Sequence, residues 1–224
     1  GKPLVFCGTV GLIPRKIKRK LSHVKKAQPG DKIIMVRGRV GKDGIHGATF
    51  SSEELDPNSP VTAVQIGDPI TQKKFSDVII RELRGENLYS SITDNGAGGL
   101  SSSVGEMAKE SGGFIINLEK VPLKYEGLYP WEIWISESQE RMTLAVLPKN
   151  VKKVISIFNK RGVEATSIGK FTKNRKAIVR YNNIDVMNID MEFLHEGYPK
   201  LQLKTLKPTI VKIKNTKLKK HSYK

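Results

Sequence analysis

The sequence has 224 residues, a mass of 25.0 kDa and a single cysteine, Cys7. This length allows one large domain or two small ones, and one cysteine excludes both an intramolecular disulfide and a cysteine-rich zinc site. Apolar runs stay short, as in 33–36, whereas a membrane-spanning helix needs about 20 apolar residues. No secretory signal is recognisable after Gly1, and these features together predict a cytoplasmic protein.

The net charge of +17 is unevenly distributed along the chain. Residues 1–32 contain 9 basic residues and 1 acidic residue, and residues 149–224 contain 19 basic and 5 acidic residues. The middle, 33–148, is mildly acidic with 11 basic and 16 acidic residues. A basic nucleic-acid-binding module is one alternative that such flanks suggest. It is the weaker one, because the basic residues do not interleave with the aromatic residues that stack on bases.

The predicted elements alternate between strands and helices from residue 33 onward. In chain order, apolar runs between turn residues predict strands at 33–36, 61–66, 89–93, 114–118, 142–146, 164–170, 176–181 and 184–190. Apolar residues at helical spacing predict helices over 69–85, from Leu100 to Gly112 and over 150–161, with a short helix or turn around Trp131. This order predicts an α/β (α+β) fold, in which helices flank a layered, mixed sheet whose last strands are antiparallel.

Composition also divides the chain into three parts. Residues 1–32 are rich in lysine and arginine with few apolar anchors, so we interpret them as the end of a preceding domain plus a linker. Residues 33–192 carry the alternating elements and form the predicted domain. Residues 193–224 are again lysine-rich, which is typical of a linker or a disordered tail.

A glycine-rich turn after the predicted strand 89–93 is the strongest local sign of a binding site. Asp94 precedes the glycines and the next helix follows directly. Glycines let the backbone approach a ligand, and a helix amino terminus offers amide groups to a phosphate. Asp94 could hold a Mg²⁺ ion bridging to phosphate oxygens, or it could only cap the turn. The candidate phosphate-binding glycines of this turn are Gly96, Gly98 and Gly99.

A second glycine-rich stretch follows the first predicted strand. Gly44, His46 and Gly47 are its candidate phosphate-binding residues, although the spacing matches no standard phosphate loop. His46 could act as an acid or a base; the alternative is a structural histidine in a loop.

Two further polar segments could face a ligand. Residues 136–141 place hydroxyl and amide groups between apolar elements, which suits either a ligand-facing loop or a solvated turn. Gln65, near a strand end, could donate a hydrogen bond to a substrate. The alternative for its surroundings is a helix-capping turn, because Asp68 and Pro69 are typical of a helix start.

Four segments in order, 41–52, 64–69, 93–103 and 130–142, resemble one enzyme family. They are similar to the synthetase subunit of phosphoribosylformylglycinamidine synthase, a ligase of purine biosynthesis, over about residues 35–190. The resemblance implies a domain like the carboxy-terminal domain of aminoimidazole ribonucleotide synthetase, and specifically the first of two such B domains in the subunit. A related ATP-dependent synthetase of the same superfamily is the other alternative.

The resemblance also implies an activity and a division of roles. The family joins formylglycinamide ribonucleotide, ATP and glutamine-derived ammonia to give the amidine, ADP and phosphate, with ATP and Mg²⁺ as cofactors. It implies that Asp94 binds Mg²⁺ and that the substrate contacts Gln65, Glu137, Ser138 and Gln139. The family's catalytic histidine and ATP-contacting lysine lie in the preceding A domain, so no catalytic residue is expected in this segment. The implied partners are that A domain, the following A and B domains, and a glutaminase subunit.

Overall fold

A computed structural model describes residues 8–18, 20–45, 67–199, 202 and 204. Within these residues, two strands form a small hairpin and seven form one sheet. The hairpin strands are β1 (Lys16–Ile17) and β2 (Lys20–Leu21). The sheet strands are β3 (Lys32–Val36), β4 (Ser91–Asp94), β5 (Phe114–Asn117), β6 (Met142–Val146), β7 (Ala165–Phe171), β8 (Lys176–Tyr181) and β9 (Ile184–Asp190).

The sheet order is β4-β6-β3-β7-β5-β8-β9. All neighbouring strands are antiparallel except β5 and β8, which are parallel. The predicted mixed sheet is therefore confirmed, as is the antiparallel pairing of the last two strands.

Five α-helices of six or more residues flank the sheet in the described residues. They are α1 (Pro69–Asp77), α2 (Gly99–Ser111), α3 (Pro130–Ile135), α4 (Val151–Lys160) and α5 (Met191–Glu196). The predicted helix 69–85 differs in one respect, because α1 continues through a π-helical segment, Val78–Leu83, before a last α-helical turn at Arg84–Glu86. No helix in the described part of the chain combines the length and the apolar character needed to cross a membrane.

The core lies on both faces of the sheet, and β3 shows why. Ile33 and Met35 are buried with α2 in one apolar cluster. Ile34 and Val36 point the other way and are buried in a second cluster with α1 and α4. Because successive side chains of a strand face opposite sides, a strand covered on both faces must be apolar throughout, which explains the unbroken run 33–36.

Turn chemistry sets the ends of the helices next to the sheet. Asp68 caps α1 by accepting a hydrogen bond from the Thr71 amide at 3.0 Å, and Pro69 is the first helical residue. Gly112, with a φ of 101°, ends α2 in the left-handed conformation that favours glycine. These helix limits agree with those predicted from the capping residues.

Strand direction brings three loops to one end of the sheet. Both β3 and β4 run antiparallel to β6, so the carboxyl ends of β3 and β4 lie beside the amino end of β6. The segments 37–45, 94–99 and 136–141 leave or enter these strands. We call this end of the sheet the loop edge.

The predicted domain limits can be compared with the packing at each end. Ala27, ahead of the predicted start at residue 33, is fully buried and its amide donates to the Glu110 carboxylate. At the other end, α5 crosses the predicted limit at residue 192, and Leu194 packs against the core. The extent of the domain beyond the described residues stays a prediction.

Candidate functional site

Asp94 ends β4 at the loop edge, and its carboxylate is exposed. It pairs with Met142 of β6 and accepts a hydrogen bond from the Gly96 amide at 2.9 Å. The chain then turns through Gly98 and Gly99, with φ angles of 75° and 58°, into α2. Left-handed backbone conformations of this kind are costly for residues with a Cβ atom.

The glycine turn rests directly on the backbone of the loop 136–141. A Cβ atom on Gly99 would overlap the carbonyl oxygen of Ser136, so only glycine fits at this contact. One residue earlier, the Gly98 amide donates to the Glu137 carboxylate at 2.8 Å. The turn after β4 and the loop before β6 are therefore joined by both packing and a charge-assisted hydrogen bond.

Glu137 also contacts the glycine-rich segment that follows β3. Its amide donates to the carbonyl oxygen of Asp43 at 2.9 Å. Gly44, with a φ of 66°, lies against the Glu137 side chain, where an added Cβ would come within 2.5 Å of the Glu137 Cβ. All three segments of the loop edge thus meet at Glu137.

The two residues after Glu137 point in different directions. Ser138 is fully buried, where its hydroxyl donates to the Asp43 carboxylate and accepts from the Gly41 amide at 3.0 Å. Gln139 is exposed, and its side-chain amide donates to the Glu137 carbonyl oxygen at 2.6 Å. The Ser138 hydroxyl holds the loop to its neighbour, whereas Gln139 faces outward at the edge.

Arg141 lies beneath the same loop and is 3% exposed. Its Nε donates to the Ser138 carbonyl oxygen at 2.5 Å, and its Nη2 donates to the Ser136 carbonyl oxygen at 2.6 Å. Burial lowers the pKa of Arg141 to about 10, while the negative charge of Asp43 opposes this shift. Even at this value the guanidinium is charged at neutral pH.

A buried polar layer separates the loop edge from the apolar core. The side-chain oxygen of Asn95 accepts hydrogen bonds from the hydroxyls of Ser103 and Thr143, the latter at 2.8 Å. The Asn95 amide nitrogen of the backbone donates to the Arg141 carbonyl oxygen at 3.2 Å. Asn95 therefore ties the glycine turn to both α2 and β6.

A cavity of about 390 Å³ opens at the loop edge beside Gln139. Four of its lining residues form two ion pairs, Arg37 with Asp68 at 3.4 Å and Arg39 with Glu164 at 3.1 Å. The remaining lining residues are Gly38, Thr71, Lys124 and Glu140. Apart from Gly38, the lining residues are polar or charged, and through Gln139 the cavity adjoins the candidate substrate loop.

The structure brings most of the predicted site residues together at the loop edge. These are Gly44, Asp94, Gly96, Gly98, Gly99, Glu137, Ser138 and Gln139. His46, Gly47 and Gln65 lie outside the described residues. Three residues of the loop edge were not predicted as site residues from the sequence: Asp43, Asn95 and Arg141. Asp43 stands inside the glycine-rich run and Arg141 ends the polar loop, but nothing local distinguishes them from surface charges.

The phosphate-loop prediction depends on free amide groups. The amides of Gly96 and Gly98 already donate to the carboxylates of Asp94 and Glu137. A phosphate bound by these amides would have to replace two carboxylate acceptors. Phosphate binding by the glycines stays a prediction.

Magnesium binding depends on oxygen ligands at the same place. In the described part of the chain, no group of three or more acidic, histidine or cysteine side chains is arranged to hold a metal ion. Asp94 is an exposed carboxylate at the loop edge. It fits a Mg²⁺ site of the kind that takes one or two carboxylates and completes its shell with water and substrate phosphates.

One protein-family model matches the part of the chain that contains the segments of the loop edge. Residues 28–182 match the family "AIR synthase related protein, C-terminal domain", which is more than half of the chain. The chain belongs to this family. The match includes β3 to β8 and every segment of the loop edge.

Curated relatives at 36–40% identity carry one name, phosphoribosylformylglycinamidine synthase subunit PurL. The protein of Methanopyrus kandleri is 40% identical over 204 residues, which are 89% of this chain and 28% of the relative. The protein of Methanothermobacter thermautotrophicus is 36% identical over 97% of this chain and 31% of the relative. The chain thus spans less than a third of the length of these relatives.

Solved structures of the Thermotoga maritima PurL have the same fold. The structure described as complexed with FGAR superposes with a TM-score of 0.74 and 31% identity, over 87% of this chain and 32% of that one. The structure described as complexed with ATP gives a TM-score of 0.71 and 27% identity, over 88% and 31%. The predicted family and the predicted domain type are confirmed.

Proposed function

We propose that this chain is one domain of a phosphoribosylformylglycinamidine synthase. The complete enzyme converts formylglycinamide ribonucleotide, ATP and glutamine-derived ammonia to the amidine, ADP and phosphate. This chain contributes part of the substrate and Mg²⁺ site. The family match over 28–182 and the PurL relatives support this assignment.

One contact carries the proposal. The Gly98 amide donates to the Glu137 carboxylate at 2.8 Å, so the turn after β4 and the loop before β6 lie side by side. Asp94 is four residues before Gly98 in that turn. A metal-bound phosphate at Asp94 and a substrate on the Glu137–Gln139 loop would therefore be neighbours.

Each residue has a chemical task in this proposal. Asp94 supplies an anionic oxygen ligand, and Mg²⁺ bound there would neutralise charge on the transferred phosphoryl group. The exposed amide of Gln139 and the amide of Gln65 orient the formyl amide of the substrate by hydrogen bonding. Glu137 holds the loop against the glycine turn.

In this proposal, the chain supplies only part of the active site of the enzyme. By family resemblance, the catalytic histidine and the ATP-contacting lysine belong to the preceding A domain, and ammonia comes from a glutaminase subunit in the cytoplasm. The 224-residue chain alone is therefore expected to show no synthetase turnover.

The test is ADP release by the complete synthase that contains this chain. We expect release to require formylglycinamide ribonucleotide together with ammonia or glutamine. The isolated chain, measured in parallel, should show none. ADP release that is independent of the ribonucleotide, or that responds to a different acceptor, would contradict the assignment and favour another synthetase of the superfamily.

A further inference from the structure

In the part of the chain that the structure describes, no carboxylate is hydrogen-bonded to the buried Arg141 guanidinium. Its hydrogen bonds go to the carbonyl oxygens of Ser136 and Ser138, the residues on either side of Glu137. Its third nitrogen, Nη1, is buried and finds no hydrogen-bond partner among the described residues. A buried guanidinium is costly in free energy, and both hydrogen bonds described for it hold one loop of the site.

The fork shape of arginine suits this task. Two nitrogens of a rigid plane donate in parallel directions, here to carbonyl groups two residues apart. Lysine has a single nitrogen on a flexible stem, so it cannot hold both carbonyls in the same geometry. Glu137 lies between the two residues that carry those carbonyl groups, and its carboxylate accepts a hydrogen bond from the Gly98 amide.

The surrounding residues make room for the arginine and complete the clamp. A Cβ atom on Gly38 would overlap the Cγ atom of Arg141, so glycine there leaves space for the side chain. On the far side of the loop, the Asp43 carboxylate accepts from the Ser138 hydroxyl, and Lys124 pairs with that carboxylate at 2.6 Å. The loop is thus held by the hydrogen bonds from Arg141 to its carbonyl oxygens and by the hydrogen bond from the Ser138 hydroxyl to Asp43.

We propose that Arg141 is a positioning residue: by fixing the carbonyl groups of Ser136 and Ser138, it keeps Glu137 against the glycine turn and orients Gln139 toward the substrate. It touches no substrate itself. Loss of the fork would let the loop shift relative to the glycine turn, and a small displacement of this kind weakens binding and catalysis. That Arg141 fixes the loop is argued from the contacts alone. That this affects binding of the substrate rests on the proposed function.

The structural test is amide hydrogen exchange in the full 224-residue chain. In Arg141→Lys, we expect the amides of Glu137 and Gly98 to exchange about tenfold faster, while amides of β8 keep their rates. Arg180→Lys is the matched control. Arg180 lies in β8, three strands away from β3 in the sheet, and it pairs with Asp185 at 2.7 Å. If Arg141→Lys fails to fold, slow exchange of the Arg141 Nε proton in the unsubstituted chain supports the proposal. Exchange of that proton at the rate of an exposed arginine would overturn it.

The kinetic test uses the complete synthase that contains this chain. We expect Arg141→Lys to raise the KM for formylglycinamide ribonucleotide about tenfold, with the KM for ATP unchanged within about twofold. A purely structural role would lower the amount of active enzyme and leave both KM values unchanged, and that result would overturn the proposal. If the unsubstituted synthase is inactive, the proposed function fails and the exchange experiment alone decides the role of Arg141.

Discussion

Gly99 lies directly against the carbonyl oxygen of Ser136, closer than any residue with a Cβ atom could approach. This contact is where the amino end of α2 rests on the loop between α3 and β6. Gly98, beside it, donates its amide to Glu137 at 2.8 Å. Because Gly99 and Ser136 meet through backbone atoms, their contact depends on chain conformation rather than on side-chain chemistry.

Replacement of Gly99 by alanine should therefore be strongly destabilising. In Gly99→Ala the new Cβ atom must displace the Ser136 carbonyl, and the residue keeps a φ of 58°. We expect the free energy of unfolding to fall by about 2–4 kcal/mol, measured by chemical denaturation. Gly85→Ala is the control, since Gly85 has no atom within 4 Å of the added Cβ. It should be neutral or stabilising by up to about 1 kcal/mol. Equal midpoints for the two variants would contradict the described contact.

We expect the Glu137 carboxylate to stabilise the fold mainly as a hydrogen-bond acceptor, and less through its negative charge. Glu137→Ala leaves the Gly98 amide without its acceptor, so we expect a loss of about 1–2 kcal/mol in the free energy of unfolding. Glu137→Gln keeps a side-chain oxygen and should lose less. If alanine and glutamine variants unfold at the same denaturant concentration, the hydrogen bond to Gly98 contributes nothing to stability.

Asp68 should make the stability of the protein depend on pH in the acid range. Hydrogen bonds from Thr71, first from its hydroxyl and then from its amide, hold the pKa of Asp68 below its ordinary value of 3.8, with a smaller contribution from Arg37. A depressed pKa means that the stabilisation is present above the ordinary value and is lost as the pH falls through the folded-state value. Thermal melts of the unsubstituted chain and of Asp68→Ala should differ at neutral pH and converge below about pH 3.8.

Asp68→Asn is the matched variant for that measurement. Asparagine keeps an acceptor for the Thr71 amide but cannot titrate. Its melting temperature should lie between those of the unsubstituted chain and Asp68→Ala at neutral pH. A difference between the chain and Asp68→Ala that does not change from neutral to acid pH would show that the carboxylate charge plays no part.

Asp94→Asn should separate metal binding from folding. The variant keeps an acceptor for the Gly96 amide, and Asp94 is exposed, so the free energy of unfolding should change by less than about 0.5 kcal/mol. In the complete synthase, loss of an anionic ligand should lower kcat by about 100-fold or more. Glu192→Gln is the control and should leave kcat unchanged, because Glu192 is exposed in α5, which follows the carboxyl end of β9 at the opposite end of the sheet. Full activity of Asp94→Asn would remove Asp94 from the proposed metal site.

Much of the fold could be predicted from local pattern. The apolar run 33–36, the capping pair Asp68 and Pro69, and Gly112 at the end of α2 each indicated an element that the structure contains. These features act within a few residues along the chain, where propensity and capping decide the conformation. The π-helical winding of Val78–Leu83 was not predicted, because apolar spacing alone does not distinguish it from an α-helix.

The roles of residues at the loop edge were decided by the tertiary structure. Asp94, the glycines after it and the loop 136–141 could be predicted from the sequence as candidate binding segments, and the resemblance to a ligase family followed from those segments. The sequence did not determine that the Ser138 hydroxyl turns inward to Asp43, 95 residues away, or that Gly98 donates to Glu137, 39 residues away. Such partners are chosen by the order and direction of β3, β4 and β6 in the sheet. Because strand pairing joins distant segments, no local pattern encodes which buried donor meets which acceptor.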